Sequence, residues 1–574
     1  MLLSLPDDIL SELFDVLAQL DPPRSTPALL SSRSRPESWK LLGWIKLTHV
    51  SRYLREIGLR RATLWARDVT VFPAALNILL ERSRDAPLTL RLDGPGLRSD
   101  AVTTVIQAQL HRTRELYDQD TARIIERDQG GALVSRQPRR DWESILAGRA
   151  MPSLEFVSFS GWHTGKSSDP VNIEKPFIAP ALRSYMMHKF LPFSAPSLRE
   201  LALYDRRLKW THYLDIIEAC PLLTHVTIIG GLWSTLGEED VIQQGREGME
   251  ESELETALGS LIASSGSRTI AMGHLKRMHI EGGFEAYILL HHLSLPSSAA
   301  VNVAAYDRTS RFRGFASLLE AQLRHPTRDV LVLSRSLHPE FLHRIDQSTS
   351  VSLGESQDGW SWPSTIEGIT MTLKSTPWTP LFDPVPSQWN YLPPEVAQRI
   401  KTLAIERDTG DDDSLSVEQF ADWWAGLNRF SAVTTLYIRR DFQPIFALLN
   451  AGSLSHRPLL PKLHTIVIYA PPYEQALSPT LWVELICLLG ARKGMGHPVT
   501  RVVLTGRACH LVDEGLSSTN EQTGEAEYYM EKLRPEALNG LVEEVIDERE
   551  KISGGCDCAT RRKPLKRRVR YVAV

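Results

Sequence analysis

Cysteine is scarce in this chain: Cys220, Cys487, Cys509, Cys556 and Cys558 are the five thiols in 574 residues. That is too few for a disulfide framework, so reduced thiols in the cytosol and/or nucleus are expected. Long apolar runs are missing too. Stretches such as AYILLHHLSL at 286–295 fall well short of the roughly 20 residues that cross a bilayer. The opening MLLSLPDDIL has no basic segment and meets Asp7 and Asp8 at once, which does not read as an export signal. No membrane partner is expected. Nor does one charge dominate: 65 Lys and Arg stand against 69 Asp and Glu, a net of −4. That balance excludes a chain that coats nucleic acid through overall charge. Apolar residues, at 42%, are plentiful enough for a large core and exclude global disorder. Length alone, at roughly 150 residues per domain, gives about four domains, or fewer if one is a repeat array.

Signatures of chemistry are also missing. GWHTGKSS at 161–168 contains Gly-Lys-Ser after an apolar run, but Ser160 stands where a phosphate-binding loop needs its first glycine. Pro170 then blocks the helix whose N-terminus would face the phosphate. His291 and His292 are adjacent, and His338 and His343 lack the spacing and glutamate of a zinc helix. Cys556 and Cys558 have no second thiol pair nearby. No nucleophile elbow, paired-carboxylate signature or dinucleotide fingerprint is present. No catalytic residue, metal ligand or cofactor is therefore assigned.

What is there begins at Leu5-Pro6-Asp7-Asp8, which opens a helix with proline in its first turn and aspartates at the positive end of its dipole. Ile9, Leu10, Leu13, Phe14 and Leu17 share one face, and Pro22-Pro23 ends the helix. The segment from Arg24 to Ser38 reads as a loop. A second helical stretch carries Trp44, Ile45, Leu47, Val50, Leu54 and Ile57, and Leu64-Trp65 closes the module. Periodicity alone fits equally well a small helical subdomain packed on the rest.

The arrangement LPDDILSELFDVL, LTHVSRYLREI and TLW resembles the F-box: its Leu-Pro start, Ile9, Leu13-Phe14, Val50, Arg52, Arg55 and Leu64-Trp65 fall in place. Ser51 stands where the family usually has cysteine and Leu54 where it often has tryptophan, and the loop between the helices is longer than usual. The extended pattern, through LWARDV and LLERSRDAPLTLRL, looks like the F-box proteins abundant in mushroom-forming fungi. The resemblance implies docking on the Skp adaptor of an SCF-type ubiquitin ligase, and through it on a cullin. Leu5, Pro6, Ile9, Leu13, Phe14, Val50 and Leu54 would make that contact.

From Pro87 onward a motif recurs, P-x-Φ-x-x-Φ-x-Φ with Φ apolar. Clear copies are PSLEFVSF (152–159), PSLRELAL (196–203), PLLTHVTI (221–228) and PKLHTIVI (461–468). Variants are GHLKRMHI (273–280), PSSAAVNV (296–303), PTRDVLVL (326–333), SAVTTLYI (431–438) and HPVTRVVL (497–504). Each reads as a turn leading into a short strand whose last two Φ residues point inward. A strand plus a helix repeated along the chain resembles the irregular leucine-rich repeats that often follow an F-box. An ordinary α/β domain with a parallel sheet is the alternative. Glu238–Glu255 and residues 354–395, with Trp360, Trp362, Trp378 and Trp389, read as insertions.

The expected fold class is thus α/β: a small helical F-box module over 1–70 and a helical connector with the first repeat over 71–150. An irregular leucine-rich-repeat-like solenoid follows over 151–510, then an acidic-then-basic tail over 511–574. In that tail RRKPLKRRVR at 561–570 follows EEVIDERE at 543–550. The expected function is a non-catalytic substrate receptor of a ubiquitin ligase that captures a protein substrate. Outward strand residues would form the substrate surface: Phe156, Tyr204, Arg277, His279, Tyr437, Arg439, Tyr469 and Arg501. Two rivals are a repeat scaffold outside any ligase and a nuclear protein whose basic tail binds nucleic acid, the latter contact not being expected.

Overall fold

The computed structural model describes residues 5–24, 38–92, 97, 99–119, 125–127, 133–135, 140–160, 175–188, 190–204, 208, 210–229, 268–282, 284–305, 318–340, 344–355, 368–374, 392–407, 425–439, 445–450, 458–470, 479–508, 538, 540–548 and 550–551. It is a mixed α/β protein with parallel sheets and forms two compact units, Met1–Pro296 and Ser297–Val574.

The first unit opens with a helical module. Helix α1 (Asp7–Leu20) starts after the extended Pro6, carries Asp7 and Asp8 in its first turn, and ends at Asp21. The expected second helix is two pieces: a 3-10 segment, Ser38–His49, and then α2 (Arg52–Arg60). The first piece is itself kinked at Gly43, which adopts φ 55°; a Cβ there would sit 2.4 Å from the Asp21 carbonyl oxygen, so only glycine fits. Ser51 then caps α2, its hydroxyl accepting from the Leu54 amide at 3.2 Å. The short α3 (Ala62–Arg67) completes the module. Its core is aromatic: Phe14, Trp44 and Trp65 are buried, with Trp44 edge-on to Trp65 at 4.8 Å. The Trp44 indole N–H donates to Asp68 at 2.8 Å, so burying the ring leaves no polar atom unpaired.

Among the described residues the main ladder of the first unit has seven strands: β1 (Leu88–Arg91), β2 (Thr113–Gln119), β3 (Phe156–Ser160), β4 (Ser184–Met187), β5 (Glu200–Leu203), β6 (His225–Ile229) and β7 (Arg277–Gly282). Each pairs in parallel with the next one in the chain. Shorter parallel pairs accompany them, Phe177–Ile178 with Phe193–Ser194 and Ile270–Ala271 with Leu293–Ser294. The motif explains the ladder: every copy anticipated from sequence contains a strand. A further copy, PALRSYMM at 180–187, forms β4.

In the second unit β8 (Ala300–Ala305) pairs in parallel with β11 (Gly368–Lys374). Between them in the chain, β9 (Arg328–Glu340) and β10 (Arg344–Glu355) form an antiparallel hairpin, with β10 antiparallel to β11. The parallel ladder then resumes from β9 through β12 (Thr402–Arg407), β13 (Thr435–Arg439), β14 (Thr465–Ala470), β15 (Arg501–Ala508) and β16 (Glu544–Asp547). Two expectations change here. The stretch 354–395 was read as an insertion, yet its Gly368–Lys374 lies inside the sheet; its tryptophans fall outside the described residues. The tail was read as a separate segment from 511, yet Glu544–Asp547 adds one more rung beside Arg501–Leu504. Val545 and Ile546 supply the apolar character a rung needs. The basic run 561–570, the stretch 238–255 and the loop GWHTGKSS lie outside the described residues.

Buried arginines tie successive turns together. Arg492, fully buried, donates to the carbonyls of Leu459 at 2.8 Å and Leu460 at 3.0 Å. Burial pulls its guanidinium down to about 10. Arg328, also buried, donates to the carbonyl of Ala299 at 2.7 Å. Each satisfies turn carbonyls that burial would otherwise strand.

Candidate functional surface

Two surfaces hold the residues singled out from sequence. On the helical module, α1 has two apolar faces. Leu10, Phe14 and Ala18 enter the core, while Ile9, Val16 and Leu20 remain 50%, 43% and 73% exposed. Leu13, half-buried, shares the outer stripe by its helical spacing. Pro6 is exposed, Leu5 half-buried, and Val50, just before α2, is 66% exposed. Phe14 and Leu54 are 0% exposed. Their assignment to a partner contact is corrected: they hold the module together from within. Val16 and Leu20 were missed, although their spacing from Ile9 and Leu13 carried the signal. Helix α1 is held by polar contacts on its flank, where Tyr53 donates to Asp7 and Arg61 pairs with Asp15. The hydrogen bond to Asp7 is the main cause that holds the Tyr53 hydroxyl above its ordinary pKa.

The second surface is the solvent face of the ladder. At β5 and the turn leading into it Leu198, Leu201 and Leu203 are buried, whereas Arg199 and Glu200 are both exposed. Two neighbouring outward residues break the strict alternation of a strand. The cause is the turn that enters several of these strands, in which one carbonyl accepts two consecutive amides. Arg183 O accepts from Arg199 and Glu200, both at 2.9 Å; Thr224 O accepts from Lys276 at 2.8 Å and Arg277 at 3.1 Å. The spacing Φ-x-x-Φ-x-Φ is its footprint in sequence, two outward residues and then one.

On the first unit this face carries Phe156, half-buried, with its ring 4.7 Å from Tyr117, which in turn lies under Arg91 at 4.9 Å. Tyr204 stacks on His188 at 4.5 Å, and burial lowers the pKa of that histidine. Arg277 is exposed, and His279 Nε2 lies 3.9 Å from Glu281. These four anticipated residues therefore share one face. Arg183, Arg199 and Lys276 were missed because they lie in the entry turn, one residue before the strand, where alternation does not apply.

The second unit differs. Tyr437 is only 7% exposed and packs with Val330, Ala404, Val467 and Val503 in a second hydrophobic cluster, against which Tyr469 leans. Placing Tyr437 on an open surface was wrong. The strands TLYIR, TIVIYA and RVVLTGRA are apolar at outward positions as well, the pattern of a parallel sheet covered on both faces. Burial raises the Tyr437 hydroxyl, with the charge of Glu548 adding to it. Arg439 lies over the Tyr469 ring at 4.9 Å, and Arg501 pairs with Glu544 at 2.6 Å.

Among the described residues no group of His, Cys, Asp and Glu could hold a metal ion, and no helix is long and apolar enough to cross a membrane. Cys220 is buried and Cys487 exposed; Cys556 and Cys558 lie outside the described residues. No protein-family model matches the chain, and no curated protein matches it in sequence.

Proposed function

We propose that this chain is the substrate-receptor subunit of an SCF-type ubiquitin ligase, with residues 1–70 an F-box and the ladders an irregular leucine-rich-repeat solenoid. The observation that carries the reading is the outer stripe of α1. Ile9, Val16 and Leu20, joined by Val50, expose apolar side chains above a core that is already complete without them. Such a stripe is what an amphipathic helix offers to a partner's groove. The order of the strands supports the solenoid part, because along β1 to β7 and again along β12 to β16 each parallel strand lies beside the next, as in stacked repeats.

In this role the chain makes and breaks no bonds. The module docks the Skp adaptor and through it a cullin, and an exposed ladder face holds a protein substrate near the ubiquitin-charged enzyme, in cytosol and/or nucleus. Affinity purification from cells with a blocked proteasome tests this. The adaptor and a polyubiquitinated client should co-purify with the full chain. Recovery of neither, from a folded and expressed chain, overturns the proposal in favour of a scaffold outside any ligase.

A further inference from the structure

We propose that the ladder face of the first unit, across β4 to β7, docks a short acidic segment of a protein. Four exposed cations stand along it: Arg183 just before β4, Arg199 just before β5, Lys276 just before β7 and Arg277 at its start, while the intervening β6 rung carries Thr224. The backbone ladder places the first three in register, through Arg199 N–H to Arg183 O at 2.9 Å, Thr224 N–H to Arg199 O at 2.8 Å and Lys276 N–H to Thr224 O at 2.8 Å. Among the described residues no carboxylate pairs with Arg183, Arg199 or Lys276. Elsewhere arginines find acids readily: half-buried Arg268 reaches Asp215 and Glu218, and exposed Arg324 reaches Glu320 and Glu395. Arg183, Arg199 and Lys276 thus leave their positive charge available.

The floor beside these cations is low, with Ala202 and Thr227 at the next outward positions of β5 and β6. His225, between the Arg199 and Lys276 rungs, is occupied with Thr224, their Nδ1 and Oγ1 atoms 3.0 Å apart. From β4 to β7 is three strand spacings, about 14 Å, which an extended peptide covers with about four residues. Glu200 within the row, and Glu155 and Glu115 beyond it, punctuate the positive charge. That pattern suits a short acidic stretch and works against a long uniform polyanion such as RNA.

The inference rests on the receptor reading for the partner being a protein substrate, but it does not need the adaptor. The test uses the full chain and a short fluorescent peptide of alternating glutamate and serine, with its glutamine counterpart and a single-stranded RNA as controls. The acidic peptide should bind, more weakly as salt rises, and the glutamine peptide should not. Combining Arg183→Gln, Arg199→Gln and Lys276→Gln should weaken binding roughly tenfold, the scale of three exposed charge pairs. All three side chains are exposed, so the fold should survive, which circular dichroism checks; Lys401→Gln on the second unit should leave binding unchanged. Equal binding of both peptides, or an unaffected triple variant, overturns the inference. Tighter RNA binding through the same cations overturns it in favour of nucleic acid. Adaptor capture is measured on the same samples. Failed peptide binding with intact capture sinks this inference alone, while peptide binding without capture supports it and sinks the ligase reading alone.

Discussion

Ala202, Thr227 and His279 stand half-buried at the third outward position of their rungs in the first unit, while Ala404, Tyr437, Val467 and Val503 hold the same position in the second and are buried. Both ladders share the rung geometry, down to one carbonyl receiving two amides, as in His464 O with Thr500 at 2.9 Å and Arg501 at 3.0 Å. What separates them is composition at one position. Thr227 and His279 leave the first face to solvent and to partners at β6 and β7, whereas Tyr437, Val467 and Val503 commit the second to packing and bury Ala404 with them; in the first unit Ser158 of β3 is already buried at the matching position. A shared backbone therefore does not assign function, and the outward residues do.

The largest effect that would break this contrast is a charge placed at matching positions. Val467→Asp buries a carboxylate in the second cluster and should destabilise the second unit by about 4 kcal/mol or more, whereas Ala202→Asp should cost about 1 kcal/mol or less. Chemical denaturation of each variant measures both, and equal losses would remove the distinction. Next in size, Arg492→Met strands the Leu459 and Leu460 carbonyls and should cost about 2–3 kcal/mol, read from the same curves.

A chemical contrast sharpens the account without unfolding anything. Burial pushes the Cys220 thiol up to about 12, while Cys487 is exposed. Peptide mapping after alkylation at mildly alkaline pH should find Cys487 modified and Cys220 intact. The sign of the linkage follows: the folded thiol holds its proton where the unfolded one, near its ordinary value of 9.0, has lost it. Cys220 therefore favours folding fully below about pH 9, and that contribution is lost as pH rises towards 12. The smallest effect belongs to the exposed pair Arg501–Glu544, where Arg501→Gln should cost about 1 kcal/mol at most and vanish at high salt.

How far these features could be read from sequence depends on how local their causes are. The P-x-Φ-x-x-Φ-x-Φ copies announced their strands because turn proline and apolar spacing act within eight residues; PALRSYMM obeys the same pattern, with Leu182, Tyr185 and Met187 buried at its Φ positions. The kink inside the 3-10 segment was harder, since Gly43 is dictated by the Asp21 carbonyl, far away in the chain. Phe14 and Leu54 carry the same motif signal as Ile9 and Val50, and only packing tells which pair faces inward. Tyr437 failed for a related reason: alternation gives the side of the sheet but not whether that side is covered.

The central claim, that the outer stripe of α1 docks the adaptor, is tested most directly by calorimetric titration of the full chain with purified Skp adaptor. The account predicts saturable one-to-one binding that Ile9→Asp combined with Val50→Asp abolishes while circular dichroism stays unchanged. Absence of binding by the folded parent chain, or full binding by the double variant, would contradict it.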